Sequence, residues 1–174
     1  MSKSVFCIAT SETQANKIVE RLQLGGFATS DISVLLPDSS GKGDFGHVKS
    51  TKASEGIATG ATTGGLAGGA IGLLAGIGLL AIPGLGPFIA AGPIMAALSG
   101  AAVGAATGGL VGGLIGLGIP EIEAKRYEDK LRKGNFLISA HAADDRQVDR
   151  AKDIFEVENA EDISVVTEAS APKP

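Results

Sequence analysis

IATGATTGGLAGGAIGLLAGIGLLAIP, residues 57–83, and PIMAALSGAAVGAATGGLVGGLIGLGIP, residues 93–120, decide how this chain is read. With the joining GLGPFIAAG at 84–92 they belong to a run, residues 56–120, that contains no Asp, Glu, Lys or Arg. All 15 basic and 19 acidic residues lie outside it. An uncharged apolar block of this length must be buried in protein or in lipid, because it cannot stay solvated alone. Glycines stand at Gly56, Gly60, Gly64, Gly68, Gly72 and Gly76, and again at Gly100, Gly104, Gly108, Gly112 and Gly116. Gly92 and Ala96 extend the second series backwards. Residues four apart share one helix face, so each segment, as a helix, carries a groove free of side chains.

In water such a helix is poor, since each glycine costs about 1 kcal/mol relative to alanine. In a bilayer the balance changes, because coil leaves backbone groups unbonded at several kcal/mol each. The groove also allows close backbone approach, the packing mode of small-xxx-small membrane helices. About 26 residues per segment at 1.5 Å each span ~39 Å, enough for a ~30 Å hydrocarbon core with tilt. The spacing therefore predicts a glycine-zipper helical hairpin over 56–119. Pro83, Pro87 and Pro93 supply its turn, and the connecting loop from Ile82 to Gly92 lies on the far side of the membrane. Two other readings share the pattern: a soluble shell or filament in which hairpins of many copies bury one another, and a pore lined by Thr59, Thr62, Thr63 and Thr107. No Trp or Tyr stands near either helix end, so the usual aromatic belt is missing.

Moving outward, residues 37–55 read as a polar Gly/Ser/Lys linker and residues 120–134 as a short charged connector helix. Lys42, Lys49 and Lys52 flank one end of the block; Lys125, Arg126, Lys130, Arg132 and Lys133 flank the other. The bias of lysine and arginine predicts an inner-membrane protein with both termini cytoplasmic. The connector's five basic residues are candidate lipid head-group contacts, a solvent-exposed connector being the plain alternative. A cytoplasmic assembly is the alternative location.

The ends of the chain mirror one another. Val5 to Ala9 is β-prone; Ser11 and Gln14 form a capping-box pattern, with Ala15, Ile18, Val19 and Leu22 at helical spacing behind them. Gly25 and Gly26 stop that helix, and Ile32 to Leu36 form a second strand. At the far end Phe136 to Ala142 reads as a strand, Asp144 or Asp145 as a cap, and Val148, Ala151, Ile154 and Phe155 as an apolar helix face. Ile163 to Val166 close as a strand. Asp-Ile-Ser-Val occurs at 31–34 and again at 162–165, opening the last strand of each unit. Two such units predict an α+β chain: a split ferredoxin-like domain made of residues 1–36 and 135–167, with the glycine-zipper hairpin inserted between its halves. Residues 168–174 read as a disordered tail.

Catalytic and ligand patterns fall away on inspection. The net charge of −4 disfavours a nucleic-acid partner. Gly41, Gly43 and Gly46 spell GxGxxG, yet a polar linker rather than a helix follows, so no dinucleotide site is built. His47 and His141 stand apart without a Cys/His cluster, His141 reading as a surface or edge residue. The single Cys7 sits mid-strand as a small buried hydrophobe. The reading is of a non-enzyme without metal, cofactor or evident small-molecule substrate, whose partners are a second copy of itself and a lipid membrane. The short apolar run at the N-terminus is not a signal-peptide pattern, which suits a cytoplasmic start.

VFCIATSETQANKIVERLQLGGF at 5–27, followed by DISVLLPD at 31–38, resembles the N-terminal domain of bacterial general-stress and heat-induced stress proteins. AIPGLGPFIAAGPIMAALSGAAVGAATGGLVGGLIGLGIPEIEAKRYEDKLRKGNFLISAH, residues 81–141, resembles the bacterial low-temperature-induced family. The resemblance implies a stress-linked protein with a glycine-zipper membrane segment and no recognised catalytic residues.

Overall fold

The structure, a computed structural model, describes residues 2–37, 78–82, 86–94 and 109–167. The elements in order are β1 (Lys3–Ala9), α1 (Glu12–Leu24), β2 (Ile32–Pro37), β3 (Gly78–Ile82), β4 (Gly86–Ala91), α2 (Gly109–Gly116), α3 (Glu121–Arg132), β5 (Phe136–Ala142), α4 (Asp145–Val157) and β6 (Glu161–Thr167). A 3-10 turn, Thr29–Asp31, precedes β2.

One local device starts both helices of the chain ends. Ser11 Oγ accepts from the Gln14 amide at 3.1 Å, and Gln14 Oε1 accepts from the Thr10 amide at 2.7 Å. At the second helix Asp144 Oδ1 accepts from the Gln147 amide at 2.8 Å, and Gln147 Oε1 from the Ala143 amide at 2.8 Å. Each cap satisfies amides that the first helical turn leaves without partners. The amide hydrogen bond holds the Asp144 carboxyl below its ordinary value. The two strand–helix–strand units are thus alike in their caps as well as in their Asp-Ile-Ser-Val.

The strands form one antiparallel sheet in the order β3-β4-β2-β5-β1-β6, and the fold is α+β. Alternation along each strand feeds two cores. Val5, Cys7 and Ala9 face α1 and α4, whose Ile18, Val19, Leu22, Ala151 and Phe155 complete the first core. Phe6 and Ile8 face the other way, where Phe88, Ile94, Leu110, Leu114, Ile119, Tyr127 and Leu131 form the second. The molecule therefore has three layers, with α2 and α3 on the face opposite α1 and α4.

Two expectations from the sequence are corrected here. Residues 78–82 and 86–91, read as the end of one long helix and a connecting loop, are the β3–β4 hairpin. β4 pairs with β2 from Val34 opposite Ala91 to Pro37 opposite Phe88. Of the loop expected across a membrane, Gly86–Ala91 is β4, lying inside the sheet between β3 and β2, and Pro87 stands within that strand opposite Ala81; Pro83 lies outside the described residues. Second, part of the uncharged block belongs to the domain core: Phe88, Ile94, Leu110, Leu114 and Ile119 are all buried against the sheet. Among the described residues no helix is long and apolar enough to cross a membrane. Gly56, Gly60, Gly64, Gly68, Gly72 and Gly76, with Gly100, Gly104 and Gly108, lie outside the described residues. So do the linker lysines, the Thr59, Thr62, Thr63 and Thr107 series, and the tail.

Candidate functional site

The best-defined polar cluster joins the connector helix to the edge strand. α3 buries Ala124, Tyr127 and Leu131 at spacings of three and four, so one narrow stripe faces the sheet and Ile122 is left exposed. That stripe sets Tyr127 over Phe6, with ring centroids 6.4 Å apart. It also points the phenol at β6. Tyr127 Oη donates to the Asp162 carbonyl at 2.9 Å and lies 2.6 Å from Ser164 Oγ, whose hydroxyl can donate back. Burial pushes the phenol pKa well up, with the Ser164 hydrogen bond opposing, so the ring stays neutral.

Asp162 is held by charge as well. Arg126 Nη1 lies 3.4 Å from its Oδ1 and Lys130 Nζ 3.8 Å from its Oδ2, while Lys130 also donates to Glu161. The Glu161 hydrogen bond raises the Lys130 pKa. Asp162 adopts a left-handed backbone, φ 49°, a conformation that aspartate tolerates better than most residues with a side chain. Its Oδ2 is buried without a hydrogen-bond partner. Glu123, Arg126, Tyr127, Asp162, Ile163 and Ser164 border a cleft of about 50 Å³, the room of one or two waters.

The five basic residues read as head-group contacts have mixed placements. Lys125 pairs with Glu121 at 2.6 Å and Arg132 with Glu128 at 2.6 Å, each one helical turn apart. The Glu121 contact raises the Lys125 pKa and lowers that of Glu121. Arg126 and Lys130 are turned to β6, and Lys133 is exposed with no ion pair among the described residues. Of the glycines read as helix-packing positions, Gly92 stands at a bend after β4 rather than in a helix. A Cβ on it would meet the Ile32 carbonyl oxygen at 2.1 Å. Gly112 and Gly116 are on α2, exposed, and a Cβ on either meets nothing within 4 Å.

Chemically the cluster fastens rather than reacts. The phenol is neutral, Arg126 and Lys130 are committed to carboxylates, and Cys7 is buried with its thiol pKa raised by desolvation. His141 lies on β5, inside the sheet, and not at an edge. Among the described residues no group of three or more His, Cys, Asp or Glu could hold a metal ion. Sequence reasoning passed over Tyr127, Asp162 and Ser164 as a unit. The signal lay in the repeated Asp-Ile-Ser-Val, whose serines fall in one row across the sheet. Ser33 is opposite Ser139, Ser139 opposite Phe6, and Phe6 opposite Ser164. Both serines bind the inserted segment, Ser33 Oγ accepting from the Ile94 amide at 3.2 Å and Ser164 meeting Tyr127. Comparison with known proteins gave no matching family model, no matching curated relative and no matching solved structure, so the cluster is read from its own geometry.

Proposed function

We propose that this is a non-enzymatic, self-associating stress-response protein whose domain holds glycine-spaced apolar segments against a bacterial inner membrane. The domain reading is a split ferredoxin-like unit: β2-β5-β1-β6 is the strand order of two interlocked strand–helix–strand halves, with α1 and α4 on one face. Its second and third strands are antiparallel neighbours, Leu35 opposite Leu137, so an insertion between them leaves and returns close together. The stress link comes from the resemblance at residues 5–38 and 81–141.

The observation that carries the membrane part is the uncharged run 56–120, with glycine at every fourth position from Gly56 to Gly76. Chain length limits how deep it goes. Residues 38–77 start and finish on one sheet, and their 22 uncharged residues, 56–77, folded as a helical hairpin reach about 16 Å. Residues 95–108 depart from buried Ile94 and return to buried Leu110, reaching about 10 Å. Neither equals a ~30 Å hydrocarbon core, so shallow re-entrant insertion fits better than two crossings. Both termini then stay on the cytoplasmic side, and segments from several copies pack through their glycine faces.

A second reading has its own support. The same block already buries Phe88, Ile94 and Leu110 in protein, so the remaining segments can bury one another in a soluble particle. Flotation of the full chain with lipid vesicles, followed by a carbonate wash, separates the two. Lipid-bound, carbonate-resistant protein supports insertion. A particle that sediments without lipid or detergent and never floats would falsify it.

A further inference from the structure

We propose that the outer edge of β6 is a self-association seam at which two copies of this chain join by antiparallel strand pairing, apart from any contact through the glycine segments. The repeated Asp-Ile-Ser-Val lies at the start of β2, Asp31 just before it, and at the start of β6, and Ser33 and Ser164 stand in the same row of the sheet. β2 and β6 are thus the equivalent outer strands of the two halves. On β2 that outer edge takes an antiparallel strand of this same chain, β4, against Val34, Leu35 and Leu36. The equivalent positions on β6 are Val165, Val166 and Thr167, and no described strand lies beyond them.

The sequence of β6 suits a strand partner. Exposed edges are commonly blunted by lysine, proline, bulges or inward charge. β6 carries one bulge, at its start, where Phe6 pairs with Ser164 but Ile8 with Glu161; beyond it, from Ile163 to Thr167, the strand has no charge, no proline and no glycine, and four of its five residues are β-branched. Val165 is 44% exposed, although its neighbour Val5 is fully buried. The two acids at the start, Glu161 and Asp162, are already matched by Lys130 and Arg126.

A second copy fits this edge better than an unrelated strand because the edge complements itself. Antiparallel pairing centred on Ser164 sets Ile163 against Val165 of the partner copy, a β-branched pair of the kind that stabilises sheets. The left-handed Asp162 and the bulge beside it end the ladder there, so Glu161 and Asp162 of each copy lie just outside it and the acids of the two chains stand at opposite ends. Parallel pairing would align acid with acid. The two-fold arrangement closes on itself and stops at a dimer, whereas pairing β6 with the β3 edge of another copy would propagate.

The full chain, solubilised in detergent, tests this in two ways. In a Cys7→Ser background, Ile163→Cys with Val165→Cys is expected to give a covalent dimer as the main product of mild oxidation. Monomer alone, or a ladder of larger species, overturns the two-fold seam. Val165→Lys, at an exposed position, is expected to halve the particle mass measured by light scattering while leaving the melting temperature near wild type. Unchanged mass with a native melt overturns the seam; if the lysine variant fails to fold, the cysteine pair decides. Gly68→Leu distinguishes the two modes of association. Loss of mass in Gly68→Leu but not in Val165→Lys leaves the glycine contact standing and removes the edge seam. The reverse pattern supports the seam and removes the glycine contact.

Discussion

At the scale of single residues, Tyr127 and Gly92 show how much one atom decides. The Tyr127 hydroxyl ties α3 to β6 through a carbonyl and a serine, both on the strand that ends the sheet. Removing it as Tyr127→Phe keeps the ring and loses two hydrogen bonds, a cost of about 1–2 kcal/mol. Its titration gives a second readout. The folded pKa lies above the ordinary 10.0, so the folded chain holds the proton where the unfolded chain releases it. The stabilisation is whole below pH 10.0 and is lost as pH rises through the folded value. Urea midpoints of the wild type are therefore expected to fall above pH 10.0, and Tyr127→Phe to flatten that limb. Lys130, also raised, leaves a smaller residual slope in the same direction. An alkaline limb identical in both proteins would mean that the phenol is not held as described. None of this was legible from a charged fifteen-residue connector, because the partner strand lies 35 positions away and Asp162 must enter the left-handed region to present its carbonyl.

At the scale of elements, the terminal strands and helices could be read directly, since Ser11, Asp144 and the apolar spacings behind them are local signals. The β3–β4 hairpin could not. GLLAI and GPFIAA show no alternation of polar and apolar residues, and they sit in a glycine series that matches a helical period up to Gly76. What makes them strands is a tertiary demand: the β2 edge needs partners for its backbone groups, and small residues allow close approach. Gly92 is where the hairpin leaves β2. Its φ of 78° and the 2.1 Å approach to the Ile32 carbonyl exclude a side chain. Gly92→Ala is expected to destabilise by about 2 kcal/mol or more, with amide exchange rising first in β3 and β4. Gly112→Ala, which meets nothing within 4 Å, should by contrast gain up to about 1 kcal/mol from helix propensity. Equal exchange rates in β4 of the wild type and Gly92→Ala would show that the bend does not anchor the hairpin.

At the scale of the whole molecule, part of the uncharged block is protein core and the proposed function gives the rest to lipid, and the sequence displays only the sum. Lack of charge marks burial, but burial under α2 and α3 and burial in lipid leave the same trace in composition. Long-range packing divides them: Phe88, Ile94, Leu110, Leu114 and Ile119 cover Phe6, Ile8, Leu35 and Leu137, a sheet face that the two terminal halves leave bare. A minimal chain of residues 1–36 joined through a short turn to 135–167 therefore lacks its second core. Exposing those four large side chains forfeits about 1.5–3 kcal/mol each, comparable in total with the whole stability of a small domain. That chain is expected to aggregate or to bind a hydrophobic dye. A chain that removes only residues 56–77 and 95–108, with residues 38–55 left as the crossover that the parallel strands β2 and β3 require and a short linker before α2, keeps Phe88, Ile94, α2 and α3. It should give a cooperative melt and dispersed amide resonances. If the minimal chain folded cooperatively while the longer one did not, α2, α3 and the hairpin would be passengers on the sheet rather than its third layer. The longer chain also lacks residues 56–77, so a loss of vesicle binding in a protein that still folds would assign the lipid contact to the glycine segments themselves.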